Sequence, residues 1–276
     1  MVDKPSKQFF AGMMAGGGTT AILHPLDLMK VRFQTDTSSN SARRPRYYTF
    51  KEILRIRKSQ GVQGLYQGFS ANWLASMTSW GLYFYFYEHL KVKLGVDGKR
   101  KFSAKYFAAS GLAGATTVAI VNPLWVCKTR MCLQQPGSDK GYSSLFSALS
   151  RILREEGIRG WYRGLVPGIF GVSHGAVQFT IYENLKALCN HYEIESTNSV
   201  HILNSTSSKA FALALTYPYQ VVRSRLQIPQ FGTDIGGIIR RTWSHEGLAG
   251  FYKGLVPSTL RVLPGTALTF LIYENV

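Results

Sequence analysis

The chain has 276 residues, of which 45% are hydrophobic and only 17% charged, against roughly 25% charged in ordinary soluble domains. Its 32 basic and 15 acidic side chains leave a net charge of +17, which calls for an anionic partner: nucleic acid, lipid headgroups or a phosphorylated solute. Three cysteines, Cys127, Cys132 and Cys189, have no metal-ligand spacing, and their odd number argues against a secreted disulfide framework. The mean hydropathy of −0.04 does not decide between water and lipid, because polar residues of a membrane protein can line an interior.

No secretory signal opens the chain: Lys4 and Lys7 are followed by a glycine-rich stretch where a signal would place its apolar run. A cleavable presequence is not evident either, since no arginine precedes Arg32. Residues 9–34 read as a helix in which Gly12 and Gly16, four apart, let a neighbouring membrane helix approach closely. Pro25 then kinks it by removing an N–H and crowding the preceding turn. A polar, basic loop with Arg43, Arg44 and Arg46 leads to a short amphipathic helix over residues 50–59, with Ile53, Leu54 and Ile56 on its apolar side.

Gly61, Gly64 and Gly68 follow, and this pattern returns as Gly157, Gly160, Gly164 and as Gly247, Gly250, Gly254. The glycines are expected to supply positive φ and tight backbone approach. Each set precedes an apolar stretch, residues 69–91, 165–186 and 255–276, ending in an aromatic and an acid: Tyr87 and Glu88, Tyr182 and Glu183, Tyr273 and Glu274. Further apolar stretches, residues 102–121 and 200–217, run into Pro123 and Pro218, which lie 98 residues beyond Pro25 and 95 beyond Pro123 respectively. The prediction is six long helices, each able to span the roughly 20 residues of a bilayer, and three short amphipathic ones. They form three repeats, 1–98, 99–195 and 196–276, that share one core.

At the prolines the repeats read Pro25, Asp27, Lys30, Arg32; Pro123, Trp125, Lys128, Arg130; and Pro218, Gln220, Arg223, Arg225. With Tyr87, Glu88, Lys91 and Tyr182, Glu183, Lys186, these motifs resemble the mitochondrial carrier family over essentially the whole chain. The middle copy Pro123–Leu124–Trp125–Val126, the third copy from Tyr217 to Gln227, the stretch from Ser79 to Phe84, and Ser173, His174, Gly175 and Ala176 look like its FAD/folate carrier branch. Branches carrying pyrimidine nucleotides or NAD also place Trp at the middle acidic position.

The resemblance implies an all-α membrane protein: six transmembrane helices in a three-fold pseudosymmetric bundle, with three short matrix-side amphipathic helices and one central site gated at both faces. Applied to these residues, it pairs Asp27 with Lys128, Trp125 with Arg223 and Gln220 with Lys30 at the matrix gate. It also places braces at Gln34 and Gln227, nine residues after their prolines, where the middle repeat has Cys132. Cys132 cannot brace as an amide would, so a weak matrix gate is expected. At the cytoplasmic gate the same rule pairs Glu88 with Lys186 and Glu274 with Lys91. Glu183 is left without a base because the third repeat stops at Val276.

The family's contact positions fall on Ala75, on Arg261, and on Gly171, Val172 and Ser173, which share one position. Arg261 is the first choice for gripping a substrate anion bidentately. Lys209 is second, a charge in mid-helix where the other repeats have Gly16 and Gly114. Trp73, Trp80, Tyr83, His174 and Gln178 are candidates to stack on a flat ring or hydrogen-bond its edge, and Asn72 is expected to bond locally. No Ser/His/Asp, paired-carboxylate or Walker arrangement is assembled, so no enzyme, metal or prosthetic group is expected. The expected function is transport of a small anionic solute, FAD or folate first, across the mitochondrial inner membrane by a monomer. Cardiolipin is the implied lipid, with Arg163 and Lys253 at the headgroups. Carriers of pyrimidine nucleotide, NAD or thiamine diphosphate are the alternatives within transport. A non-transporting scaffold and a soluble nucleic-acid binder are the other classes, the latter set aside.

Overall fold

A computed structural model describes residues 4–37, 48–95, 104–134, 141–192 and 197–274. The basic loop with Arg43, Arg44 and Arg46 lies outside these, as do the side chains of residues 4–16, around Gly12 and Gly16, and of Glu274. Among the described residues the regular elements are all helical. They run α1 (Lys4–Thr35), α2 (Tyr48–Leu65), α3 (Phe69–Lys93), α4 (Ala104–Leu133), α5 (Leu145–Trp161), α6 (Leu165–Phe170), α7 (Ser173–His191), α8 (Asn198–Leu226), α9 (Ile235–Gly250) and α10 (Leu255–Glu274). The long helices close a ring: α1 packs on α3, α3 on α4, α4 on α6, α7 on α8, α8 on α10, and α10 back on α1.

The outer faces of this ring are apolar and the inner face polar, the reverse of a soluble bundle. Ile22, Phe170, Phe211 and Leu215 stand 58%, 67%, 63% and 69% exposed on the long helices, whereas Thr20, His24, Asp27, Asn72 and Ser208 are buried. By length and composition alone, one helix among the described residues, Lys105–Leu133, is apolar enough to cross a membrane. The others spend their polar residues on the interior.

The prolines and glycines fall at equivalent places in the three repeats. Pro25, Pro123 and Pro218 lie inside α1, α4 and α8. Gly61, Gly157 and Gly247 have φ of 68°, 66° and 63°, and Gly68, Gly164 and Gly254 have 74°, 73° and 83°, a region that L side chains avoid. The second set also needs to be small. A Cβ on Gly68 would lie 2.9 Å from Cys132 Sγ, on Gly164 3.0 Å from the Arg223 carbonyl, and on Gly254 2.9 Å from the Lys30 carbonyl. Each repeat's even-numbered span therefore begins against the proline helix of the next repeat, in cyclic order.

Each short helix docks on its own proline helix. Ile56 of α2 packs with Leu28, Met29 and Val31, and Ile152 of α5 with Val126, Cys127 and Met131. Burying such a side chain contributes about 1.5–3 kcal/mol. Cys132 joins the first repeat's cluster and Ala71 the second's, so the repeats do share cores.

The span expected over residues 165–186 is interrupted. At Gly171 and Val172 the backbone tightens, with Val172 N bonding to Ile169 O at 3.0 Å and His174 N to Gly171 O at 3.1 Å, three residues back. The cause is length. Gly164 to Glu183 is 19 residues, against 20 for Gly68 to Glu88 and Gly254 to Glu274. A 3-10 turn rises about 2.0 Å per residue and an α-helix 1.5 Å, so about three tightened residues recover the length of the missing one.

Candidate binding cavity and gates

The ring encloses a cavity of about 1470 Å³. Its lining carries five cations, Lys30, Lys128, Lys209, Arg223 and Arg261, against one acid, Asp27. Trp80, Tyr83, Phe84 and Tyr87 form an aromatic strip along the α3 wall, with the Trp80 and Phe84 rings stacked at 5.8 Å and the Tyr83 and Tyr87 rings at 6.0 Å. The Tyr83 hydroxyl meets Ser110 Oγ of α4 at 2.9 Å. Gly171, Val172, Ser173 and His174 line the opposite wall, where the helix is overwound. Ala75 and Gln178 are not part of the lining: Ala75 is fully buried in helix packing and Gln178 half-buried on α7. Trp73 instead covers Gly17 of α1, where a Cβ would lie 3.0 Å from its Nε1.

Asp27 organises the cavity floor. Its Oδ1 meets Arg261 Nε at 3.2 Å, and its Oδ2 accepts from Asn72 Nδ2 at 3.1 Å. Asn72 also lies 3.0 Å from His24 Nδ1, and His24 Nε2 lies 3.0 Å from the Gln67 carbonyl. A carbonyl only accepts, so His24 carries its proton on Nε2 and Nδ1 accepts from the Asn72 amide. Asn72 therefore does not bond locally as expected. It spans two helices, linking a histidine that looked isolated in the sequence to the gate acid.

Of the expected matrix-gate pairs, the structure brings together Lys30 and Gln220, with Nζ donating to Oε1 at 2.9 Å. Asp27 is engaged by Arg261 and not by Lys128. Lys128 sits 5.3 Å over the Trp125 ring of its own repeat, because residues three apart share a helix face. Trp125 is thus occupied, and Arg223 turns to α6: a Cβ on Gly168 would lie 3.1 Å from its Cζ.

One layer further out, Gln34 donates to the Tyr217 hydroxyl at 3.1 Å and accepts from Ser224 Oγ at 2.6 Å, while Gln227 accepts from Thr129 Oγ1 at 2.5 Å. Ser224 and Thr129 both stand six residues after their proline. In the first repeat that position is Val31, which is buried in the same apolar cluster as Cys132. The junction between the first and second repeats lacks both halves of the polar brace and packs hydrocarbon and sulfur instead.

The motif arginines complete the closure in cyclic order: Arg32 Nε donates to the Cys132 carbonyl at 3.2 Å, Arg130 Nε to the Gln227 carbonyl at 2.9 Å and Arg225 Nε to the Gln34 carbonyl at 3.0 Å. Sequence reading missed what holds their far ends. Arg130 pairs with Glu156, which also meets Arg163 at 2.6 Å. Glu246 meets Arg225 and Lys253, each at 2.7 Å. The signal was an acid immediately before Gly157 and Gly247, where the first repeat has Gln60. There Arg32 Nη2 donates to Gln67 Oε1 at 2.7 Å, and Gln67 Nε2 to the Gln134 carbonyl at 2.7 Å. Repeat 1 has thus lost an acid and a base together, keeping the local charge. Burial would raise both glutamates, but hydrogen bonds from the arginines and from Lys253 hold their pKa values below the ordinary range. The expectation for Lys253 is overturned: its side chain is fully buried, and its ammonium also donates to the Asp36 carbonyl at 2.7 Å, so it does not meet headgroups.

At the opposite end Glu88 meets Lys91 of its own helix at 3.1 Å, not Lys186, and Lys186 is exposed. Glu183 is half-buried on α7, and the partner proposed for Lys91, Glu274, has a side chain outside the described set. Among the described residues, ion pairs and braces between repeats gather at the proline-motif end.

A family model for mitochondrial carrier protein matches residues 2–97, 99–193 and 195–276. The chain is 39% identical to folate transporter 1, chloroplastic, of Arabidopsis thaliana, covering 96% of this chain and 92% of that protein. It is 38% identical to nicotinamide adenine dinucleotide transporter 1, chloroplastic, of the same plant (96% and 89% covered). It is 32% identical to the mitochondrial FAD carrier protein of Saccharomyces cerevisiae (98% and 95% covered). Three matched repeats, a closed helical ring with lipid-suited outer faces, and transporters among its relatives lead to one conclusion: the chain belongs to the mitochondrial carrier family, whose members move small solutes across organellar membranes.

Proposed function

We propose that this carrier moves a planar anionic cofactor, FAD first and folate second, across the mitochondrial inner membrane by alternating access, working as a monomer in contact with cardiolipin. The observation that carries this reading is the two-ended cavity. Five cations against one acid at the floor and lower walls suit phosphates or carboxylates, and the Trp80–Phe84 strip above suits a flat ring. Relatives named for folate and for FAD support the same class. Arg261 and Lys209 take the anion, while Trp80 and Tyr83 take the ring. The inter-repeat bonds at the proline-motif end form the matrix gate, and the unpaired Lys186 end is the entrance.

NAD is the second reading, favoured by the relative named for it, with pyrimidine nucleotides and thiamine diphosphate behind it. Thermal stabilisation of the purified protein separates these, because a solute that binds only the folded state raises the apparent Tm. FAD or folate is expected to give a larger shift than NAD, UTP or thiamine diphosphate at equal concentration. A larger shift with NAD would replace the reading, and no shift with any solute would favour a scaffold.

A further inference from the structure

Arg223 is a cavity cation that no acid among the described residues answers. Its Nε and Nη2 are closed to solvent and have no hydrogen-bond partner, an arrangement that is costly for a polar group and more so for a charged one. Three of the other cations have a neighbour of suitable chemistry: Arg261 stands 3.2 Å from Asp27 Oδ1, though its Nε makes no hydrogen bond, Lys30 donates to Gln220, and Lys128 lies over Trp125. The repeat pattern would set an acid near Arg223, but Trp125 stands in that position and its ring is taken by Lys128. The guanidinium is stowed in a notch that only a glycine leaves open, since a Cβ on Gly168 would stand 3.1 Å from Cζ and 3.2 Å from Nε. Gly168 and Arg223 both line the cavity, so the side chain needs only a rotation about its own stem to present its fork to a solute.

We propose that Arg223, with Lys128, forms a second anion subsite on the cavity floor, and that the transported anion supplies the counter-charge that Trp125 removed from the matrix gate. The inference rests on the carrier reading and deepens it: Arg261 holds one anionic group and Arg223 the other, so the favoured solute carries two, as a diphosphate or a dicarboxylate does. An arginine fork can bind either in two parallel N–H···O bonds. The empty carrier leaves Arg223 unsatisfied, and only an anion long enough to reach it from Arg261 relieves that cost. Solute charge thereby becomes part of the gate.

The test measures thermal shifts of the purified full chain with FAD, with uncharged riboflavin and with inorganic pyrophosphate, in wild type, Arg223→Gln, Arg223→Lys and Trp125→Asp. In wild type FAD stabilises more than riboflavin. Arg223→Gln is expected to weaken FAD and pyrophosphate about tenfold or more while leaving any riboflavin response unchanged, and Arg223→Lys to fall between. Trp125→Asp gives Arg223 an internal carboxylate, so it should raise the Tm of the empty protein and reduce the pyrophosphate shift. FAD and pyrophosphate shifts in Arg223→Gln equal to wild type overturn the subsite, as does a Trp125→Asp protein that gains stability yet keeps its full pyrophosphate response. Arg223-dependent protection by pyrophosphate without any response to FAD or folate supports the subsite and overturns the cofactor reading. A wild type that responds to none of the probes overturns both.

Discussion

Asp27 Oδ1 and Arg261 Nε lie 3.2 Å apart, tying α1 to α10 across the cavity floor. A solute anion that takes Arg261 has to compete with that carboxylate. Arg261→Ala and Asp27→Asn should therefore move affinity in opposite directions. Removing the guanidinium costs the charge-assisted bonds, about 1.5–3 kcal/mol, or roughly 10- to 150-fold in the half-saturating concentration. Removing the carboxylate frees Arg261 and raises affinity severalfold. Isothermal binding to the two purified variants checks the signs, and equal losses in both would show that the pair acts as one structural unit.

The apolar junction of Val31 and Cys132 predicts a non-additive pair. Cys132→Gln alone buries an amide opposite a valine methyl, at a cost of about 1–3 kcal/mol. Val31→Thr alone buries a hydroxyl beside sulfur. The double variant recreates the Gln34–Ser224 and Gln227–Thr129 type of brace, so it should recover stability, with a coupling of about 0.5–3 kcal/mol, and slow opening toward the matrix. Denaturation midpoints of the four proteins complete the cycle, and simple additivity would contradict it.

Glu246 sits between Arg225 and Lys253, with side chains 4%, 2% and 0% exposed. Glu246→Gln leaves two buried cations without their acid and should destabilise by about 3–5 kcal/mol. Its carboxyl titrates below the ordinary value because hydrogen bonds from Arg225 and Lys253 outweigh burial. The stabilisation is therefore fully present above the unfolded pKa, near 4.3, and is lost as pH falls through the lower folded value. A thermal scan from pH 6 to pH 3 should show a steeper acid-side decline in wild type than in Glu246→Gln. Parallel curves would mean that the ion pair contributes no linkage.

The ring end of the cavity predicts selectivity by shape. Trp80→Ala removes one face of the strip shared with Phe84, and loss of one aromatic contact is worth about 0.5–1.5 kcal/mol beyond area. FAD should weaken by about 2- to 12-fold, and pyrophosphate, having no ring, should not change. Fluorescence titration against both probes measures this; equal losses would place Trp80 in packing.

Much of the architecture was legible because it is repeated. Pro25, Pro123 and Pro218 marked three equivalent long helices, and the glycines whose φ is positive in all three repeats marked turns that a single copy could not have established. The site was only partly legible, because motif position gives the helix face and not the partner. Lys30 and Gln220 meet across repeats, but the order of contacts around Asp27 depended on Arg261 and Asn72 arriving from α10 and α3. Lys128 found Trp125 within its own helix. Ala75 stands at a family contact position yet is buried in packing, since a methyl at a close helix contact is spent there. The tightened turn at Gly171 and Val172 explains why the count along that span slipped by one. The buried glutamates escaped notice because an acid before a glycine looks like surface until the arginine that covers it is placed.

Under the proposed function, the two-ended cavity carries a planar anion. The most direct test is uptake into liposomes reconstituted with the purified protein and loaded with FAD, folate, NAD or UTP, followed with the same labelled solute outside. FAD or folate should be taken up at a rate that saturates and that falls at least tenfold with Arg261→Ala, a loss of about 1.4 kcal/mol of transition-state binding. Faster uptake of NAD or UTP than of either, or undiminished FAD uptake by Arg261→Ala, would contradict it.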